Sequence, residues 1–134
     1  MGDWADVLIV EDEKRLRGFA LEILGMEGVS AAAAADGCEA MAYFERVLEA
    51  NGQMPSILLM DLTMPCLSGY EVYEQIASAP WISTVTVIIT SAMGDRFDPL
   101  PGPADTLLLT KPYDVNVLMS TLRRVAPDLF TGAS

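Results

Sequence analysis

Five short apolar runs divide the chain, and four of them stop at a chemically capable side chain. Val7-Leu8-Ile9-Val10 ends at Glu11-Asp12 and Ile57-Leu58-Leu59-Met60 ends at Asp61. Residues 85–90 end at Ser91, and Leu107-Leu108-Leu109 ends at Thr110-Lys111. Unbroken runs of β-branched residues and leucine suit strands buried on both faces, as in a parallel sheet. The remaining run, residues 29–35, is rich in alanine, which favours a helix. Its shortness, with Gly28 before it and Asp36-Gly37 after it, favours a strand instead. Between the runs, apolar residues recur at helical spacing. Leu16, Phe19, Ala20, Ile23 and Leu24 mark one helix, ended by Gly25 and Gly28. Ala40, Met41, Phe44, Val47 and Leu48 mark a second over residues 39–48. Residues 70–77 form a short helix, and residues 115–125 form another with Arg123-Arg124 in its last turn, where cations suit the helix dipole. From 94 to 103 the chain holds Gly94, Pro99, Pro101, Gly102 and Pro103. A truncated helix or an irregular loop is expected there.

Buried strands alternating with amphipathic helices predict a doubly wound, parallel α/β sheet. Such sheets bind ligands beyond the C-terminal strand ends, where strand order reverses. With the common order 2-1-3-4-5, Glu11 and Asp12 lie beside Asp61, and Ser91 lies on the other side of Asp61. Three carboxylates gathered at one edge repel, so either their pKa values rise or a cation neutralises them. An all-oxygen, partly hydrated site suits Mg²⁺ better than zinc. In that setting Asp61 is a nucleophile, Lys111 balances the far side of a transferring group, and Ser91 donates to one of its oxygens.

Composition narrows the partners. The chain has 134 residues, 19 acidic and 8 basic, for a formal net charge of −11. That is one domain by length. The charge argues against nucleic acid or anionic lipid as direct partners. With no histidine, Ser-His and Cys-His catalysis, His-ligated zinc and an internal phosphohistidine are all excluded. Cys38 and Cys66 are too few for a disulfide framework, Cys66 reads as a plain loop residue, and a reducing, cytoplasmic setting is expected. No apolar run approaches the ~18 residues of a membrane span. Trp81 is expected to pack against the sheet end. Trp4 and Phe130 are read as incidental, or as contacts of a weak dimer in an otherwise monomeric protein.

The chain resembles the response-regulator receiver domains of bacterial two-component signalling, and among them the single-domain, chemotaxis-regulator-like forms. The matching pieces are Val7-Leu8-Ile9-Val10-Glu11-Asp12, Met60-Asp61-Leu62-Thr63-Met64-Pro65 with Gly69 eight positions past Asp61, Ile89-Thr90-Ser91-Ala92, and Lys111-Pro112-Tyr113. They occur in the family's order, and the resemblance covers about residues 6–126, the expected core of the single domain. The resemblance implies a flavodoxin-like fold with five parallel strands and helices on both faces. It implies that Asp61 is the phosphoacceptor and that Mg²⁺ is held by Asp12, by Glu11 through water, by Asp61 and by the backbone carbonyl of Thr63. Ser91 resembles the switch hydroxyl and Lys111 the family's lysine. Side chains at Thr63 and Met93 line the path of the hydrolytic water, and an apolar Met93 is expected to slow hydrolysis. The donor is a histidine kinase or a histidine phosphotransfer protein, and the output passes to a downstream protein.

Two departures follow. The family's aromatic switch position is Leu108 here, so a Tyr or Phe rotamer change is not the readout. The region of the family's fourth helix is short and proline-rich, which alters a usual signalling face. Other classes fit less well. Aspartyl-nucleophile phosphatases want a second acid where Thr63 stands, and a nucleotide or flavin module wants a Gly-rich loop after the first strand. A scaffold that never takes phosphate would have lost an acid or the lysine. The expected role is therefore a phosphoacceptor signalling domain rather than an enzyme. It stands alone, or is a module of a hybrid histidine kinase, or serves as a phosphate sink or shuttle in a phosphorelay.

Overall fold

Residues 4–92, 105–111 and 113–131 are described by a computed structural model of the chain. The order of elements is β1 (Val7–Val10), α1 (Lys14–Met26), β2 (Ala31–Ala34), α2 (Gly37–Glu49), β3 (Ile57–Asp61) and α3 (Gly69–Ile76). A 3-10 turn (Ile82–Thr84), β4 (Thr86–Ala92), β5 (Asp105–Lys111), α4 (Val115–Val125) and α5 (Asp128–Thr131) follow. The strands form one parallel sheet in the order β2-β1-β3-β4-β5, the predicted topology. The expectation about the stretch 94–103 falls outside the described residues.

Both faces of the sheet are buried, which explains why the strand sequences do not alternate with polar residues. The period of two instead sorts apolar side chains between two layers. Leu8, Val10, Leu58, Met60, Val87 and Ile89 meet Phe44 and Val47 of α2 and Val72, Tyr73 and Ile76 of α3. Val7, Ile9, Ile57, Leu59 and Ile88 meet Ala20 and Leu24 of α1 and Leu118, Met119 and Leu122 of α4. Side-chain caps set three helix starts. Asp36 accepts from the Glu39 amide, Asp114 accepts from the Val117 amide, and Ser68 with Glu71 forms a reciprocal capping box. No helix among the described residues is long and apolar enough to cross a membrane.

Four local expectations need correction. Helix α1 continues through Gly25 to Met26, because the buried stripe ending at Leu24 outweighs the helix penalty of about 1 kcal/mol for one glycine. Trp4 is not incidental: its ring stands edge-on to Tyr43 at 5.9 Å and joins the α2–α3 layer. Phe130 packs on the opposite layer under the Arg123 guanidinium. Cys66 is not a plain loop residue either, because its Sγ is bonded to Cys38. Their Cα atoms lie 5.9 Å apart although 28 positions separate them in sequence. Cysteine usage therefore no longer argues for a reducing compartment. Trp81 packs on Phe44 of α2, with ring centroids 5.2 Å apart, and joins the same layer as α2 and α3.

Among the described residues, the Tyr73 hydroxyl is a buried polar group with no hydrogen-bond partner. Burying such a group costs about 1–3 kcal/mol. Tyr73→Phe removes only that hydroxyl, so its chemical denaturation midpoint is expected to match or exceed that of the parent, with an unchanged m-value.

Candidate functional site

Strand register brings the polar groups together. Val10 pairs with Met60, which sets Glu11 beside Asp61. Asp61 pairs with Thr90, and Ala92 pairs with Lys111. Asp61, Ser91 and Lys111 thus lie within the last residues of their strands rather than just beyond them. Continued ladder pairing between β4 and β5 extends both runs past the apolar residues. The N-terminus of α3 presses on the same edge. A Cβ at Gly69 would come within 2.6 Å of the Asp61 carbonyl oxygen, so glycine eight positions after Asp61 lets helix and strand end approach.

The side chains of Glu11, Asp12 and Asp61 offer oxygens that all lie within 4.8 Å of one another. Glu11 and Asp61 are buried, and Asp12 is exposed. Lys111 Nζ joins the two buried acids, at 2.9 Å from Glu11 Oε1 and 3.1 Å from Asp61 Oδ2. Asp61 Oδ1 accepts from the Thr63 amide at 3.4 Å. Ser91 is buried near the end of β4, one residue past Thr90, the register partner of Asp61. Thr63 is exposed on the loop after Asp61, and Leu108 is 46 % exposed on β5. Met93 lies outside the described residues.

Three neighbours carry no role in the sequence reading. Arg17, in the first turn of α1, donates from Nη1 to the Glu11 carbonyl at 2.9 Å and the Asp12 carbonyl at 3.5 Å. It pins the backbone that presents both acids. The Glu13 amide donates to Glu11 Oε2 at 3.1 Å. Tyr113, two residues past Lys111, packs at the margin of the layer formed with α1 and α4. Its phenol lies above the usual range through burial and the Glu11 charge. No side-chain spacing in the sequence marks Arg17, because the groups it holds are backbone carbonyls.

Burial raises the pKa of Glu11 above the ordinary carboxylate value, and the Lys111 and Glu13 hydrogen bonds only partly offset it. Burial likewise raises Asp61, against the pull of Lys111 and the Thr63 amide, and the Asp12 charge adds to the rise. For Lys111 burial acts downward, but hydrogen bonds and charge from Glu11 and Asp61 outweigh it, so its pKa is raised. An acid with a raised folded pKa binds more protons folded than unfolded, so stability falls as pH rises from the ordinary carboxylate value through the raised one. The Lys111 contribution persists until alkaline pH and does not alter that window. Metal-free protein melted across pH 4 to 7 is expected to show this loss, and Asp61→Asn to show a shallower one. Identical slopes would mean that Asp61 is not held uncomfortably charged.

A family model for the response regulator receiver domain matches residues 7–123. The sensory transduction protein RegX3 of Mycolicibacterium smegmatis is 37% identical over 122 residues, covering 89% of this chain and 49% of that protein. A probable transcriptional regulator, ycf27 of Guillardia theta, is 34% identical over 122 residues, covering 89% and 44%. Among solved structures, the Vibrio cholerae chemotaxis protein CheY4 has the same fold, with a TM-score of 0.71 at 23% identity over 90% of this chain and 98% of that one. The signal receiver domain of a signal transduction histidine kinase from Syntrophus aciditrophicus gives 0.72 at 26% identity, covering 98% and 93%. With an acid-and-lysine cluster at the strand ends of a 2-1-3-4-5 sheet, and a family match over most of its length, the chain belongs to the response regulator receiver domains of two-component signalling. It spans about half the length of the curated relatives it matches.

Proposed function

We propose that this receiver accepts a phosphoryl group on Asp61 from the phosphohistidine of a partner kinase or phosphotransfer protein. The observation that carries this reading is Lys111 bridging two buried acids of raised pKa at the edge where Asp12 also lies. An Asp61 carboxylate oxygen attacks phosphorus, the P–N bond breaks, and the imidazole leaves with the bond's electron pair and takes a proton. Lys111 stays beside the acceptor as a cation that balances charge on the incoming group, and the Ser91 hydroxyl closes on one of its oxygens.

The acids fit Mg²⁺, since the donor set is all oxygen and two of its members are strained toward the protonated form in its absence. Glu11, Asp12, Asp61 and the Thr63 carbonyl would hold it. Bound there, Mg²⁺ supplies positive charge against the phosphoryl oxygens. Exposed Thr63, with Met93, modulates the later attack of water on the acyl phosphate, and Leu108 stands at the switch position.

Output passes through protein–protein contacts rather than direct binding of nucleic acid, consistent with a charge of −11. Similarity to the receiver of a histidine kinase, and coverage of half of the regulators named above, keep a module of a longer signalling chain as a second reading.

Acetyl phosphate and Mg²⁺ test the reaction directly. The protein is expected to gain the mass of one phosphoryl group, and to lose it on treatment with hydroxylamine. Mg²⁺ alone, at about one hundred times its dissociation constant, is expected to add about 2.7 kcal/mol of stability. No mass gain at saturating donor would overturn the reading.

A further inference from the structure

Cys38 and Cys66 are the two cysteines of the chain, and their Cα separation of 5.9 Å lies within the range of a disulfide. Cys38 belongs to the first turn of α2, and Cys66 sits in the loop between Asp61 and α3. Contact between these two parts does not depend on the bond. A Cβ at Gly37 would overlap the backbone of Leu67, so the start of α2 and the loop already touch. What the bond adds is local. Cys66 has a φ of 69°, and across it the Leu67 amide donates to the Pro65 carbonyl at 2.8 Å. That is a γ-turn of the rarer, strained hand, which persists only when its surroundings over-determine it. Three residues earlier stands Thr63, whose amide reaches Asp61 Oδ1. Cys66 is exposed and Cys38 half-buried, so small thiols and disulfides reach the pair.

We propose that Cys38 and Cys66 form a reversible oxidation site that governs phosphoryl uptake at Asp61 by holding or releasing the loop between them. This rests on the receiver reading above. In the oxidising direction one thiol loses its proton and attacks a low-molecular-weight disulfide, releasing one small thiolate. The second cysteine then displaces the other. One S–S bond forms in the protein, one breaks in the reagent, and two electrons pass to the reagent, which leaves as two thiols. With the bond closed, the turn at Cys66 holds the Thr63 backbone at the acceptor. With it open, residues 62–68 relax and the acceptor loses that support.

The full chain is compared after equilibration with oxidised glutathione and after reduction with dithiothreitol. Thiol titration is expected to count no free thiol in the first state and both in the second. The reduced form is expected to melt about 10 °C lower, as loss of a cross-link over a loop of this size implies. Amides of residues 62–68 are expected to exchange faster. Phosphorylation by acetyl phosphate at subsaturating Mg²⁺ is expected to slow roughly fivefold, the equivalent of one residue's backbone strain. Cys38→Ser with Cys66→Ser should behave as the reduced protein in either buffer. Equal loop exchange and equal phosphorylation rates in the two states would overturn the gate while leaving the receiver reading intact. So would a redox effect that survives in the double variant. Failure to phosphorylate in both states would overturn both, and thiol titration would still report whether the bond forms.

Discussion

Asp61→Asn is expected to abolish the mass gain from acetyl phosphate while leaving the protein folded and, without Mg²⁺, more stable than the parent. The two halves of this result have one origin. Asp61 is buried beside two other acids, and its pKa is raised chiefly by burial, with Asp12 adding to the rise. A carboxylate held in that way destabilises the fold when ionised. The amide keeps the shape and still accepts from Lys111, but it carries no charge and is not a nucleophile toward phosphorus. Intact-mass spectrometry reads the first half and thermal melts with and without Mg²⁺ read the second. The Mg²⁺-dependent rise in melting temperature should also shrink, since the site has lost one of three charges. Retained phosphorylation would place the acceptor elsewhere.

Lys111→Met has the opposite signature in stability. Lys111 is the cation between Glu11 and Asp61, at 2.9 and 3.1 Å, and its side chain is only 19% exposed. Methionine keeps the length and apolar stem but leaves two buried carboxylates facing each other. Removing one partner of a buried ion pair costs about 3–5 kcal/mol. For a chain of this size the variant is expected to melt about 10 °C lower in metal-free buffer. Mg²⁺ or mildly acid pH should recover part of the loss, because each removes negative charge from the same edge. Phosphorylation should fall on the order of 100-fold, as for loss of one preorganised donor at a developing charge. A variant with parental stability in metal-free buffer would mean that the acids do not depend on the lysine.

Much of this site is legible along the chain because each member stands at the end of an apolar run. Glu11, Asp12, Asp61, Ser91 and Lys111 are found by asking where buried strands stop, and parallel topology then carries those stops to one edge. Arg17 escapes notice because its partners are backbone carbonyls, which any residue offers. Cys38 and Cys66 escape for a different reason. A spacing of 28 residues becomes contact only when α2 and the loop after β3 pack on the same side of the sheet, and no local periodicity records that. Trp4 and Phe130 read as incidental because they lie outside the periodic segments, yet each fills the margin of one apolar layer.

By itself the amino-acid order determined the five strands and the four longer helices, that the sheet is parallel, and which polar residues stand at its edge, but not the 3-10 turn or α5. These follow from apolar runs, helical spacing and turn residues, all of which act over a few positions. Tertiary structure alone decided the rest. It set Lys111 on Glu11 as well as Asp61, tied the Asp61 loop to α2 through the disulfide, and raised the two acids by burying them. Such contacts join residues tens of positions apart. They exist only once strand order and register have brought those positions into one layer and removed the water between them.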